Sequence, residues 1–225
     1  MFFLVLIFLF IFIAPMMWLS YVFKKHDITL ANMPFNALEF GNLILKEKGL
    51  SDVKIEKTLN VDHYDLTQKT VRVIEDRLNK KSLTALSIVC HEIGHAIQHQ
   101  ENYKPLEQRT TLVKNTQWIS SLGSGIMFMG IPTIMALGSY SFIKICLLIL
   151  LLSIIINALI HIITLEVELD ASFKKALPII KEKVPAEYHE ACKSVLLAAA
   201  LTYVIGVFKH FFSFRFIWML LTRLR

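Results

Sequence analysis

Cys90-His91-Glu92-Ile93-Gly94-His95-Ala96-Ile97-Gln98-His99 is the stretch on which the reading of this chain turns. It lies inside an apolar run that begins near Ser82. There Leu83, Ala85, Leu86, Ile88, Val89, Ile93, Ala96 and Ile97 recur as they would on a helix with a wide buried face. On such a helix His91 and His95 stand one turn apart and share a face, so both imidazoles reach a single ion. Two histidine ligands suit zinc. Glu92 sits one step around the helix, where its carboxylate can take a proton from a water that the ion has acidified. An ionisable trio on a buried apolar surface is costly without a shared partner, which favours a metal over a purely structural pair. Gly94 has no side chain, so another backbone can approach the helix closely there.

Two neighbouring readings are excluded by spacing. His99 continues the four-residue interval, but it is two turns from His91 on one rigid helix and cannot close around the same ion; a solvated or capping role is expected. The metzincin extension requires a glycine and a third histidine where this chain has Gln98 and Glu101.

The rest of the composition sets the context. The 225 residues are 55% hydrophobic with a formal net charge of +6, and the apolar residues come in discrete runs. These runs lead us to expect a mainly α membrane protein with about four transmembrane helices and a small α+β zincin-like catalytic domain. The basic residues are spread among Asp and Glu with no dense block or interleaved aromatics, which argues for membrane-surface charge and against nucleic acid. Cys90, Cys146 and Cys192 have no paired spacing and are expected to be free thiols.

In chain order, residues 1–23 carry no charge and end in Trp18, Tyr21 and Lys24-Lys25, which reads as a retained transmembrane anchor. Residues 24–118 form the expected catalytic domain. Asn36 to Lys48 reads as an amphipathic helix ended by Gly49. Val53, Ile55 and Lys57, then Thr70 to Ile74, alternate as strands around the turn-rich Asn60 to Thr67, and a hairpin or small antiparallel sheet is expected. Its edge could hold an extended peptide. His63 and Tyr64 fall in that turn and are expected to be solvated or turn-stabilising. Residues 119–164 read as a transmembrane hairpin, 165–193 as a polar connector in helical pieces, and 194–225 as a C-terminal span or a span with an interfacial helix. The placement of lysines along these runs puts the active site on the cytoplasmic face.

A catalytic zinc needs a third protein ligand. Glu166-Val167-Glu168-Leu169-Asp170 supplies three carboxylates at the end of the long apolar run 141–163, and no other region offers acids so suitably placed. Spacing leaves the choice among the three open.

Several blocks together resemble one family. These are Asp62-His63-Tyr64-Asp65, Lys69-Thr70-Val71-Arg72, His91 to His99, Tyr103-Lys104-Pro105-Leu106, Val167-Glu168-Leu169-Asp170-Ala171-Ser172 and Ala198 to Val204. In this order they are similar to the YugP-like neutral zinc metallopeptidases. The resemblance implies a prokaryotic, membrane-bound peptidase on the plan of the HtpX-like gluzincins, with a glutamate on a later helix as third ligand. Its V-E-x-D-A-S block falls on Val167 to Ser172 and so implies Glu168. Glu166 stands in place of the family's proline. Ser172 occupies the position of the aspartate found four residues after the ligand in HtpX-like proteins.

The function expected from these observations is zinc-dependent hydrolysis of peptide bonds, as an endopeptidase. One Zn2+ would be held by His91, His95 and Glu168, and Glu92 would be the catalytic base. Tyr64, Arg109, His161 and Tyr203 are candidate oxyanion donors. The partners expected are a peptide or protein substrate, membrane-embedded ones included, and the lipid bilayer of a plasma membrane. The competing expectation, a zinc-stabilised scaffold or chaperone without proteolysis, has no use for Glu92.

Overall fold

A computed structural model describes residues 2–130, 132–133 and 143–211. The side chains of 2–12, of several positions in the apolar helices, and of His161 and Tyr203 lie outside the described set, as does the segment 212–225 with its arginines. In chain order the described elements begin with α1 (Phe2–Lys25), α2 (Ala37–Glu47), β1 (Lys54–Thr58), β2 (His63–Asp65) and β3 (Thr70–Ile74). A short α3 (Glu75–Leu78) leads to α4 (Leu83–Gln100) and α5 (Lys104–Gly125), which continues as a π-helical turn over Ile126–Gly130. Then come α6 (Ile143–Leu169), a π segment (Asp170–Ala176), α7 (Leu177–Lys183) and α8 (His189–Phe211).

The chain divides into two compact units. The first comprises Met1–Tyr103 with Val167–Phe208, and the second Lys104–Glu166 with Lys209–Arg225. The first is built around α4. Ser82 starts that helix by accepting the Ala85 N–H at 3.1 Å while its own hydroxyl donates to Asp27 at 2.8 Å. The Thr84 hydroxyl donates to the Phe23 carbonyl at 2.8 Å, which fastens the end of α1 beside the start of α4. Leu86, Val89, Ile93 and Ala96 then enter a core shared with Phe40 and Ile44 of α2, Val71 and Val73 of β3 and Ile180 of α7. Burial of this kind stabilises by roughly 25 cal/mol per Å² of apolar surface. The α2 helix owes its start to a capping box, in which Asn36 Oδ1 accepts the Glu39 N–H at 2.9 Å and Glu39 Oε2 accepts the Asn36 N–H at 2.8 Å.

The sheet has the order β1-β3-β2. β1 runs parallel to β3, with Lys54 opposite Thr70, and β2 runs antiparallel to it, with Tyr64 opposite Val71. The expected antiparallel pairing of the two longer strands is therefore replaced by a parallel one. The reason lies in residues 60–67, which contain a strand of their own, β2 (His63–Asp65). Asp62 accepts the Ile74 N–H at 2.8 Å, and Asp65 closes the turn into β3 by accepting the N–H groups of Thr67 and Gln68 at 2.9 and 3.0 Å. His63 and Tyr64 accordingly stand in a strand.

The expectation of about four transmembrane helices is corrected. Among the described residues no helix is long and apolar enough to cross a membrane. In the second unit, α5 carries Lys104, Glu107, Arg109 and Lys114 before its helical hydrogen bonding changes to the π turn at Ile126. In α8 the apolar residues follow Glu190 and Lys193 and are interrupted again by Lys209. The assignment of the site to a cytoplasmic face rested on those spans and falls with them.

Candidate metal centre

Within the first unit the end of α6 and the π segment pack along α4. Gly94 makes this approach possible. A Cβ built there would lie 2.6 Å from the carbonyl oxygen of Ala171, closer than real Cβ contacts come, and the other near atoms also belong to the Ala171 backbone. The π segment follows the acid-bearing turn directly, and the Leu177 N–H reaches back five residues to the Ser172 carbonyl. Such π turns widen a helix locally and recur at functional sites. Two ion pairs tie the same stretch down: Lys175 with Glu101 at the end of α4, and Lys183 with Glu47 at the end of α2, the latter at 2.8 Å.

This packing brings His91, His95 and Glu168 together, all three buried. His91 Nε2 lies 3.1 Å and His95 Nε2 3.2 Å from the same Glu168 Oε2. One ligand atom from each residue lies within 4.8 Å of the others. A tetrahedral zinc with bonds of about 2.0–2.2 Å holds its ligand atoms about 3.3 Å apart. The two measured separations are within about 0.2 Å of that spacing, so the donor set and its geometry fit the ion. The two imidazoles stand nearly perpendicular, at 80°.

Of the three acids that spacing left open, Glu166 is exposed, while Glu168 and Asp170 are buried. The Asp170 carboxylate accepts from the Gln98 amide at 2.9 Å and from Lys174 at 3.2 Å. Burial opposes the charge on Glu168, but His95 and His91 outweigh it and hold the carboxyl well below the usual carboxylate range. Burial likewise works against a charged His95. The Glu168 carboxylate, with Glu92 and Gln98 adding to it, more than compensates and raises the ring to about 9. The carboxylate thus favours positive charge at the spot where both Nε2 atoms point.

Around the trio, His91 Nδ1 is 2.9 Å from Ser172 Oγ and His95 Nδ1 is 2.9 Å from Gln98 Oε1. Glu92 is buried beside them, and its carboxylate makes no hydrogen bond or ion pair among the described residues. Gln98 is the residue that sequence reasoning passed over, having used it only against the metzincin pattern. Its signal was available, since it lies one helical turn after His95 on the same face.

The other expected positions fall elsewhere. His99 stays outside the trio, and its Nδ1 is hydrogen-bonded to the Tyr64 hydroxyl at 3.0 Å. Burial, assisted by Asp52 and Asp65, pushes the Tyr64 phenol up to about 12. Arg109 belongs to the second unit, and the side chains of His161 and Tyr203 lie outside the described set. A cavity of about 270 Å³ opens beside α4, lined by Leu50, Asp52, Tyr64, Lys69, His99 and Asn102 among others. Lys69 and Asn102 have positive φ, 49° and 51°. The cysteines are free thiols.

A His-Glu-x-x-His helix faced by a glutamate from a distant helix is the arrangement of a zinc hydrolase centre. The comparisons with known proteins agree. The family model described as "Putative neutral zinc metallopeptidase" matches residues 1–222, and the chain belongs to that family, whose metal is zinc. The chain is also similar to "Putative membrane protease YugP" of Bacillus subtilis (strain 168), with 32% identity over 194 residues covering 85% of this chain and 83% of the relative. No solved structure matches it.

Proposed function

We propose that the chain is a zinc-dependent endopeptidase in which His91, His95 and Glu168 hold one zinc ion and Glu92 is the general base. The observation that carries this reading is the convergence of both Nε2 atoms on one Glu168 oxygen, at 3.1 and 3.2 Å. When bound, zinc supplies a Lewis acid that polarises the scissile carbonyl and lowers the pKa of an attacking water. The chain's own residues do the rest. The Glu92 carboxylate makes no hydrogen bond or ion pair among the described residues, so it can take the proton of the attacking water and return it to the departing amine. β2 is the edge strand beside α4 and offers ladder bonds to an extended peptide regardless of its sequence. The cavity between Tyr64, Lys69 and His99 gives a substrate side chain a place about one helical turn beyond His95. The relative's name, a membrane protease, supports a membrane setting in which membrane-associated proteins are the substrates.

The test is direct. Purified protein is expected to retain about one zinc, His91→Ala to lose it, and Glu92→Gln to keep it while losing cleavage of a casein or membrane-protein substrate. Cleavage retained by Glu92→Gln would refute the assignment and favour a zinc-stabilised scaffold.

A further inference from the structure

The hydrogen bonds behind the two histidines fix where each ring carries its proton. Ser172 has one hydroxyl hydrogen and gives it to the Leu196 carbonyl at 3.1 Å. A carbonyl can only accept, so the Ser172 oxygen, 2.9 Å from His91 Nδ1, has no hydrogen left for the ring and must accept from it. Gln98 has two amide hydrogens, and both are spent: one on the Val167 carbonyl and one on the Asp170 carboxylate, each at 2.9 Å. Its oxygen therefore faces His95 Nδ1 at 2.9 Å and accepts. Ser172 and Gln98 are fully buried, so no solvent competes for these bonds. Both rings must carry hydrogen on Nδ1, and in both it is Nε2 that faces Glu168.

We propose that Ser172 and Gln98 are the positioning residues of this centre, an inference that rests on the ligand assignment above. Ser172 locks His91, and Gln98 locks His95, as the Nδ1–H tautomer. Gln98 has a second task, because the carbonyl it holds belongs to Val167, the residue before Glu168. One side chain thereby sets the tautomer of one ligand and the backbone position of another across 69 residues of sequence. Both direct acceptors are neutral, a hydroxyl and an amide. They orient the imidazoles without adding the negative charge that a carboxylate in either place would bring, and a more basic ligand would leave the ion a weaker Lewis acid.

The experiment uses the full-length protein with 15N-labelled histidine. Ring nitrogen shifts are recorded without metal at a pH where the rings are neutral, and zinc affinity is measured by competition with a chelator. The wild type is expected to show His91 and His95 as Nδ1–H. Ser172→Ala should let His91 give up its Nδ1 hydrogen, leaving Nε2–H toward Glu168, and lower zinc affinity by about 10- to 100-fold. Ser172→Thr, which keeps the hydroxyl, should restore both. Gln98→Glu separates the two tasks of Gln98, since it still accepts from His95 but cannot donate to Val167: the tautomer should be kept while zinc affinity falls.

Nδ1–H retained in Ser172→Ala, or a loss of thermal stability there with tautomer and affinity unchanged, would overturn the proposal. If Ser172→Ala does not fold, Ser172→Cys, a far weaker acceptor, gives the same comparison against Ser172→Thr. A wild type that binds no zinc would sink the function proposed above, whereas Nε2–H rings in the metal-free wild type would sink this inference alone.

Discussion

Replacing Gly94 by alanine tests the closest contact in the centre. The added Cβ would sit 2.6 Å from the Ala171 oxygen, about 0.4 Å inside the limit that real Cβ atoms respect and about 0.8 Å short of ordinary contact at 3.4 Å. The obstacle is backbone, so no rotamer relieves it, and α4 and the π segment must separate. Ala171 lies three residues after Glu168, and the carboxylate would be carried away with it. Metal sites tolerate displacements of about 0.2 Å in their ligand distances, and a misplacement near 1 Å can cost about 100-fold in rate. Overpacking a tight contact costs about 1–3 kcal/mol, but alanine recovers about 1 kcal/mol of helix propensity over glycine. Gly94→Ala is therefore expected to melt within a few degrees of the wild type while zinc affinity drops by at least about tenfold and hydrolysis by about 100-fold. Thermal melts in chelator, zinc competition and peptide cleavage on the same preparation provide the three readings. Affinity within threefold of wild type would show that the π segment yields without moving Glu168, and the argument from close approach would fail.

Other outcomes follow from the same geometry. Glu168→Gln should abolish stoichiometric zinc, whereas Glu166→Gln, on an exposed carboxylate, should leave zinc content and activity unchanged; elemental analysis of the two variants decides between them. The fold holds the Tyr64 phenol neutral up to about 12, while an unfolded tyrosine ionises near 10. Its contribution to stability is therefore complete below pH 10 and is lost as pH rises from about 10 to 12. Tyr64→Phe should flatten that part of the stability curve in urea titrations. Burial raises the thiol pKa of both Cys90 and Cys192. Neither should react with iodoacetamide in the native protein at about pH 8, and both should react once it is unfolded; mass spectrometry of the labelled peptides reads the result.

The centre was more legible in the sequence than its surroundings. A helix from Ser82 through the two histidines was legible because the cap, the apolar period and the ligand interval all point to one conformation. The glycine between the histidines announced a close backbone approach, and the Ala171 carbonyl is what arrives there. The partners of the strands were not legible. Period-two alternation says which face of a strand is buried but not which strand lies beside it, and a three-residue strand such as His63–Asp65 is too short to show the period. The span count was read from composition alone, and among the described residues no helix is long and apolar enough to cross a membrane.

The choice of acid shows where pattern gives way to packing. Glu166 and Glu168 are two positions apart, which on a helix is a rotation of about 200°, so burying one exposes the other. Which of them turns inward depends on the phase of α6 relative to α4. The Gly94 contact with Ala171 and the two bonds donated by Gln98 set that phase. None of these contacts involves a ligand atom, yet together they bring one carboxylate oxygen to 3.1 and 3.2 Å from two imidazoles. A buried carboxylate in that place is costly unless positive charge meets it. The packing of a glycine and a glutamine thus selects which carboxylate the two imidazoles meet, and that choice is made away from the ligand atoms themselves.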